Sequence, residues 1–69
     1  MKMKEKIAQI SGVEEVREQE LLGNYQLMSV YIKAGKVIRM SEFQNIDPCA
    51  TIGALPDGRL IMSIVVEKE

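Results

Sequence analysis

The stretch that decides the fold is 51-TIGALPDGRLIMSIVV-66. Thr51 to Leu55 reads as one strand and Leu60 to Val66 as another, with Pro56-Asp57-Gly58 between them. Proline presets φ for a turn and glycine accepts a positive φ, so the whole stretch predicts a β-hairpin. On the second strand Leu60, Met62, Ile64 and Val66 share one side, while Ile61, Ser63 and Val65 share the other. Both sides are largely apolar, which predicts a central strand or one covered by a second subunit.

Upstream, residues 25–32 alternate in the same way. Met28, Val30 and Ile32 point one way, and Tyr25, Leu27, Ser29 and Tyr31 the other. Gly23-Asn24 before this run is a tight turn, and Lys33-Ala34-Gly35-Lys36 after it is a second turn that leads into a short strand over Val37 to Met40. Ser41 with Gln44 makes a capping-box pattern, so residues 42–46 are expected to form one helical turn, ended by Asp47-Pro48. Residues 13–22 carry two signals. Ser11 with Glu14 is a capping box that favours a helix, whereas the turn at Gly23-Asn24 favours a strand; the strand reading is preferred, although Glu18 and Glu20 interrupt its apolar side between Val16 and Leu22. Residues 2–10 place Met3, Ile7 and Ile10 on one face of a short helix, and Gly12 supplies its stop.

These elements fit a single α+β domain spanning residues 1–69. It has a short N-terminal helix followed by four or five mainly antiparallel strands, arranged as a sheet or a small barrel. A chain of this length buries only about 60% of its unfolded surface, so stability is hard to reach without a staple or a partner. One cysteine, Cys49, excludes an internal disulfide, and the absence of histidine leaves poor material for a zinc site. Oligomerisation or an unusually good core remains. Hydrophobic residues make up 46% of the chain and aromatics 4%, so that core is aliphatic and methionine-rich.

The net charge of −1 gives no cationic field for nucleic acid or anionic lipid. Lys2, Lys4 and Lys6 are not followed by the apolar stretch of a signal peptide, and no segment approaches the roughly 20 apolar residues of a membrane span. With a lone thiol, the expectation is a cytoplasmic protein.

Catalysis is not expected. Nucleophile–base constellations need a base that a chain without histidine lacks, and no cation lies near Cys49 in sequence to activate it. Cys49 reads as a small buried residue at the start of a strand, and the acidic pairs Glu14–Glu15 and Glu18–Glu20 as a solvated face. No phosphate-cradling glycine loop is present, and no cofactor or metal ligand set is expected. Lys33 and Lys36 flank one turn and Arg59 follows another, and these residues with Arg39 would form an anion-binding rim if the two turns share one end of the sheet. Two-sided apolar strands exceed what one short helix covers, and the surplus points to a protein interface. Met28, Val30, Met62 and Ile64 are the candidate partner-binding anchors, and Glu67, Lys68 and Glu69 read as a solvated tail.

Two family resemblances follow from these elements. Residues 2–32, through Ile7, Ile10, Gly12, Val13, Val16, Gly23 and Val30, resemble the helix, Gly-Val and strand–turn–strand unit of ferredoxin-like regulatory domains, including the cytosolic domain of cation diffusion facilitators. The metal-binding histidines of that family have no counterpart, so metal sensing does not carry over. Residues 36–66 resemble the swapped-hairpin unit of AbrB-like transcription factors and antitoxins, in the order Lys36 to Met40, Ser41 to Ile46, Pro48, Thr51 to Leu55, Asp57-Gly58-Arg59 and Leu60 to Val66. That family interleaves strands in a dimer and binds DNA through basic residues; here the proline after the first strand is absent and the unit lies at the C-terminal end. The functional expectation is a non-catalytic protein-binding or regulatory module, acting as an oligomer or on a larger partner through a sheet edge or apolar face. The alternative is a dimeric nucleic-acid-binding regulator using the four basic residues.

Overall fold

A computed structural model describes residues 3–68. Helix α1 (Met3–Ala8) is followed by β1 (Val13–Glu20), β2 (Tyr25–Ile32), α2 (Met40–Gln44), β3 (Thr51–Ala54) and β4 (Leu60–Glu67). The four strands form one open sheet in the order β1-β2-β4-β3, with every neighbouring pair antiparallel. The α+β class, the short N-terminal helix and the helical turn before the hairpin therefore hold, with four strands rather than five and a sheet rather than a barrel.

The predicted hairpin is β3–β4. Gly58 takes φ of +91° and donates its N–H to the Leu55 carbonyl, while the Leu55 N–H donates to Arg59 across the loop. A three-residue loop of this kind closes on a glycine in the left-handed region. β4 is central, as its two apolar sides require: it pairs with β2 along its whole length and with β3 along its first half.

One face of the sheet holds the core. Register aligns Val16, Val30 and Met62 across three strands, with Met28 and Ile64 alongside, and all five are buried. Ile7 from α1 and Phe43 from α2, both fully buried, close this face from above. α1 ends at Ala8 rather than at residue 10, but Met3 on it and Ile10 in the turn that follows both pack at the margin of the core, so the expected apolar side faces the sheet. The expected start of this helix at Lys2 lies outside the described residues.

Several local expectations are corrected. Val37 to Met40 is not a strand; Val37 is 92% exposed and α2 already begins at Met40. The reason lies in the topology: β1 and β4 occupy both sides of β2, leaving no open edge beside it for another strand. Ser41 is not a cap, because α2 starts one residue earlier, with Arg39 at its N-cap and no side-chain cap. The preferred strand reading of residues 13–22 holds over Val13–Glu20, where pairing with β2 outweighs the capping signal at Ser11, and only its end at residue 22 is shortened. Lys68 is not part of a solvated tail: its N–H donates to Asn24 at 2.6 Å and its Nζ lies 3.5 Å from Glu20. Glu67 belongs to β4, and Glu69 lies outside the described residues.

Asp47 joins the α2–β3 loop to the sheet. Its Oδ1 accepts the Cys49 N–H and its Oδ2 the Val65 N–H, both at 2.9 Å. Thr51 pairs with Ser63, so Val65 is the next residue of β4 whose N–H faces the β3 side, beyond the point where β3 ends. Asp47 stands in for the strand residue that is missing there.

Candidate association surface

Met28, Val30, Met62 and Ile64 are between 0 and 1% exposed, beneath Ile7 and Phe43. These four expected anchors are therefore core in the folded chain and are not open to a partner. No described helix covers the opposite face of the sheet.

Cross-strand register builds the uncovered face row by row. Glu15, Tyr31, Ile61 and Gly53 form one row; Arg17, Ser29, Ser63 and Thr51 the next; Gln19, Leu27 and Val65 the third. Tyr25 stands opposite Glu67 beyond them. Two apolar rows, Tyr31–Ile61 and Leu27–Val65, thus flank a trough of small hydroxyl side chains. Leu27, Tyr31 and Ile61 are half-buried by their neighbours, whereas Val65 and Tyr25 are 43% and 47% exposed.

The end of this face near Tyr31 is electrostatically filled. The guanidinium carbons of Arg17 and Arg59 lie 5.2 and 5.6 Å from the Tyr31 ring centre, within cation–π range. Glu15 accepts a hydrogen bond from Arg17 Nε, and that bond raises the Arg17 pKa above its ordinary range. Arg59 Nε donates to Asp57 Oδ2 at 2.7 Å, and its Nη1 lies 3.9 Å from Glu14. The bond to Asp57 raises the Arg59 pKa, while the Arg59 backbone N–H, and after it the guanidinium, hold the Asp57 carboxyl below its usual value.

The four basic residues divide accordingly. The turn at 33–36 and the turn at 55–58 do meet, since a Cβ on Gly58 would lie 3.7 Å from that of Ala34. Lys33, Lys36 and Arg59 therefore share one end of the sheet, but Arg59 is already held by two carboxylates. Arg39 is the N-cap residue of α2. Cys49 is corrected to an exposed loop position two residues before β3.

Sequence reasoning missed a cleft of about 510 Å³ at the far end of the core face, bordered by Met3, Lys4, Glu18, Glu20, Gln26, Met28 and Lys68. It lies where β1 continues past Val16 with glutamates. Lys4 lies 3.8 Å from Glu18 and Lys68 3.5 Å from Glu20, so its charges are paired across it. The interruption of the apolar alternation by Glu18 and Glu20 was the signal for it. Among the described residues, no group of three or more His, Cys, Asp or Glu side chains is placed to hold a metal ion. No described helix is long and apolar enough to cross a membrane.

Comparison of the chain with known protein families, with curated proteins and with solved structures finds no match.

Proposed function

We propose that this chain is a non-catalytic protein-association module that self-associates and presents the uncovered face of its sheet as a binding surface. The observation that carries this reading is the pair of apolar rows, Tyr31–Ile61 and Leu27–Val65, on a face without a covering element, while both helices lie on the other side. Side chains of this type are worth roughly 1.5–3 kcal/mol each when fully buried, so two rows supply a meaningful driving force. Its single exposed thiol, Cys49, goes with a reducing, cytoplasmic setting.

The test compares Val65→Asp with the wild-type chain by sedimentation over a range of concentrations, with circular dichroism as the control for folding. Association is expected to fall in the variant while the spectrum stays unchanged, because Val65 lies outside the core. Ile64→Asp, one residue away and fully buried, is expected to unfold the chain instead. Unchanged association in a folded Val65→Asp variant would refute the role of this face.

The alternative, a dimeric nucleic-acid-binding regulator, draws on the shared position of Lys33, Lys36 and Arg59 at one end of the sheet. The carboxylates of Asp57 and Glu14 beside Arg59 weigh against it. A gel shift at low salt separates the two readings, since binding driven by phosphate contacts is strongest there.

A further inference from the structure

The two edges of the sheet differ in kind. β1 carries Glu14, Glu15, Arg17, Glu18 and Glu20 along one edge, and charged side chains of this sort guard a strand against pairing with another chain. β3, at the other edge, carries no charge: residues 48–56 contain no ionisable side chain other than the Cys49 thiol. All four of its residues are exposed, and Ile52 is 46% exposed.

The ladder fixes which backbone groups β3 offers. Leu55 donates its N–H to Arg59 on the β4 side. By the alternation of an antiparallel pair, Gly53 and Thr51 also face β4, while Ile52 and Ala54 turn their N–H and C=O groups away from the sheet. None of these four outward groups has a backbone partner among the described residues. Pro48 and Pro56 bound this window on either side, each lacking a donor.

We infer that β3 pairs antiparallel with β3 of a second copy of this chain, joining two four-stranded sheets edge to edge. The inference rests on the association reading above and names both the partner and the edge. A register that sets Ile52 opposite Ala54 of the second copy uses both outward-facing residues of each chain. It places Gly53 opposite the same glycine across the two-fold axis, where neither copy presents a side chain. The choice of a second copy follows from charge. A neutral edge meets itself without repulsion, whereas β1 paired with its own copy would bring glutamates together. So short a contact buries less than the roughly 800 Å² per partner of a standard stable interface, so the dimer is expected to be weak and concentration-dependent.

The test follows individual backbone amides of the full chain by NMR hydrogen exchange at low and high protein concentration. The Ile52 and Ala54 amides are expected to become protected only as concentration rises, while those of Thr51 and Gly53 are protected throughout. Ala54→Pro removes one outward N–H per copy and leaves every β3–β4 bond in place, because proline is tolerated where an edge N–H faces solvent. Its dissociation constant is expected to rise roughly ten- to hundredfold, as two lost hydrogen bonds per dimer imply. Association in folded Ala54→Pro as strong as in wild type, or dimers in which the Ile52 and Ala54 amides stay unprotected, overturns the edge inference. If Val65→Asp still abolishes association in that case, the association reading stands without it. A wild-type chain that remains monomeric at millimolar concentration overturns both.

Discussion

Asp47 offers the sharpest test of how this fold is held together. Its carboxylate accepts two backbone N–H groups, one two residues on at Cys49 and one at Val65 on β4. Asp47→Ala removes both acceptors. A hydrogen bond to a charged group contributes about 1.5–3 kcal/mol, but Val65 is partly open to water, which recovers some of that loss. The expected net destabilisation is about 1–2 kcal/mol, out of a total of roughly 3.5–10 kcal/mol for a chain of this length. The midpoint of thermal unfolding should therefore fall by roughly 5–15 °C. Asp47→Asn keeps one acceptor oxygen and should fall between the two. Urea unfolding followed by circular dichroism gives the magnitude, and an unchanged denaturant slope shows that the native state is otherwise intact. Hydrogen exchange at the Val65 amide isolates the long-range bond from the local one at Cys49. If that amide is as protected in Asp47→Ala as in wild type, Asp47 is not the substitute for the missing strand residue and the reasoning fails.

Two further outcomes follow from the packing and the charges. Phe43→Ala, which empties the fully buried site beneath α2, should cost about 3–5 kcal/mol and leave much of the population unfolded at room temperature, visible as lost far-ultraviolet dichroism. Arg59 depresses the Asp57 pKa in the folded chain, so the stability that this carboxylate contributes is present above its unfolded value of about 3.9 and is lost as pH falls through the lower folded value. Asp57→Asn should therefore be less stable than wild type at pH 6, and the difference should shrink at pH 2.5; a gap independent of pH would show that the carboxylate charge is not its source.

The hairpin was legible because its signals agree: Pro56-Asp57-Gly58 fits only a turn, and Leu60 to Val66 is apolar on both sides, as a central strand must be. What periodicity did not reveal is which side the helices cover. Met28, Val30, Met62 and Ile64 form one consistent face, but the same pattern describes a core and an exposed interface. Two small signals distinguish them. Ser29 and Ser63 interrupt the opposite side of both central strands, and Val16, the apolar residue in the middle of β1, aligns with Val30 and Met62. Val37 to Met40 misled because local β-propensity cannot know that β2 already has two neighbours. Cys49 misled in a similar way: it was placed by its residue type, whereas the loop that carries it is held by the Asp47 bonds.

The asymmetry of the two edges also limits what an assembly can become. A sheet with two unguarded edges adds copies at both and grows into a filament, whereas one guarded edge and one open edge close after a single addition. Guarding here resides in the glutamates of β1, and openness in the neutral window bounded by Pro48 and Pro56. Because directly paired residues share a face, edge pairing about a two-fold axis sets the Tyr31–Ile61 and Leu27–Val65 rows of both copies on the same side of one eight-stranded sheet. The proposed dimer thus doubles the uncovered face rather than hiding it. That gives the edge and the face separate contacts, the edge joining two copies side by side and the face left to stack on that of a further copy, so Ala54→Pro should weaken the first step of assembly and Val65→Asp the later one.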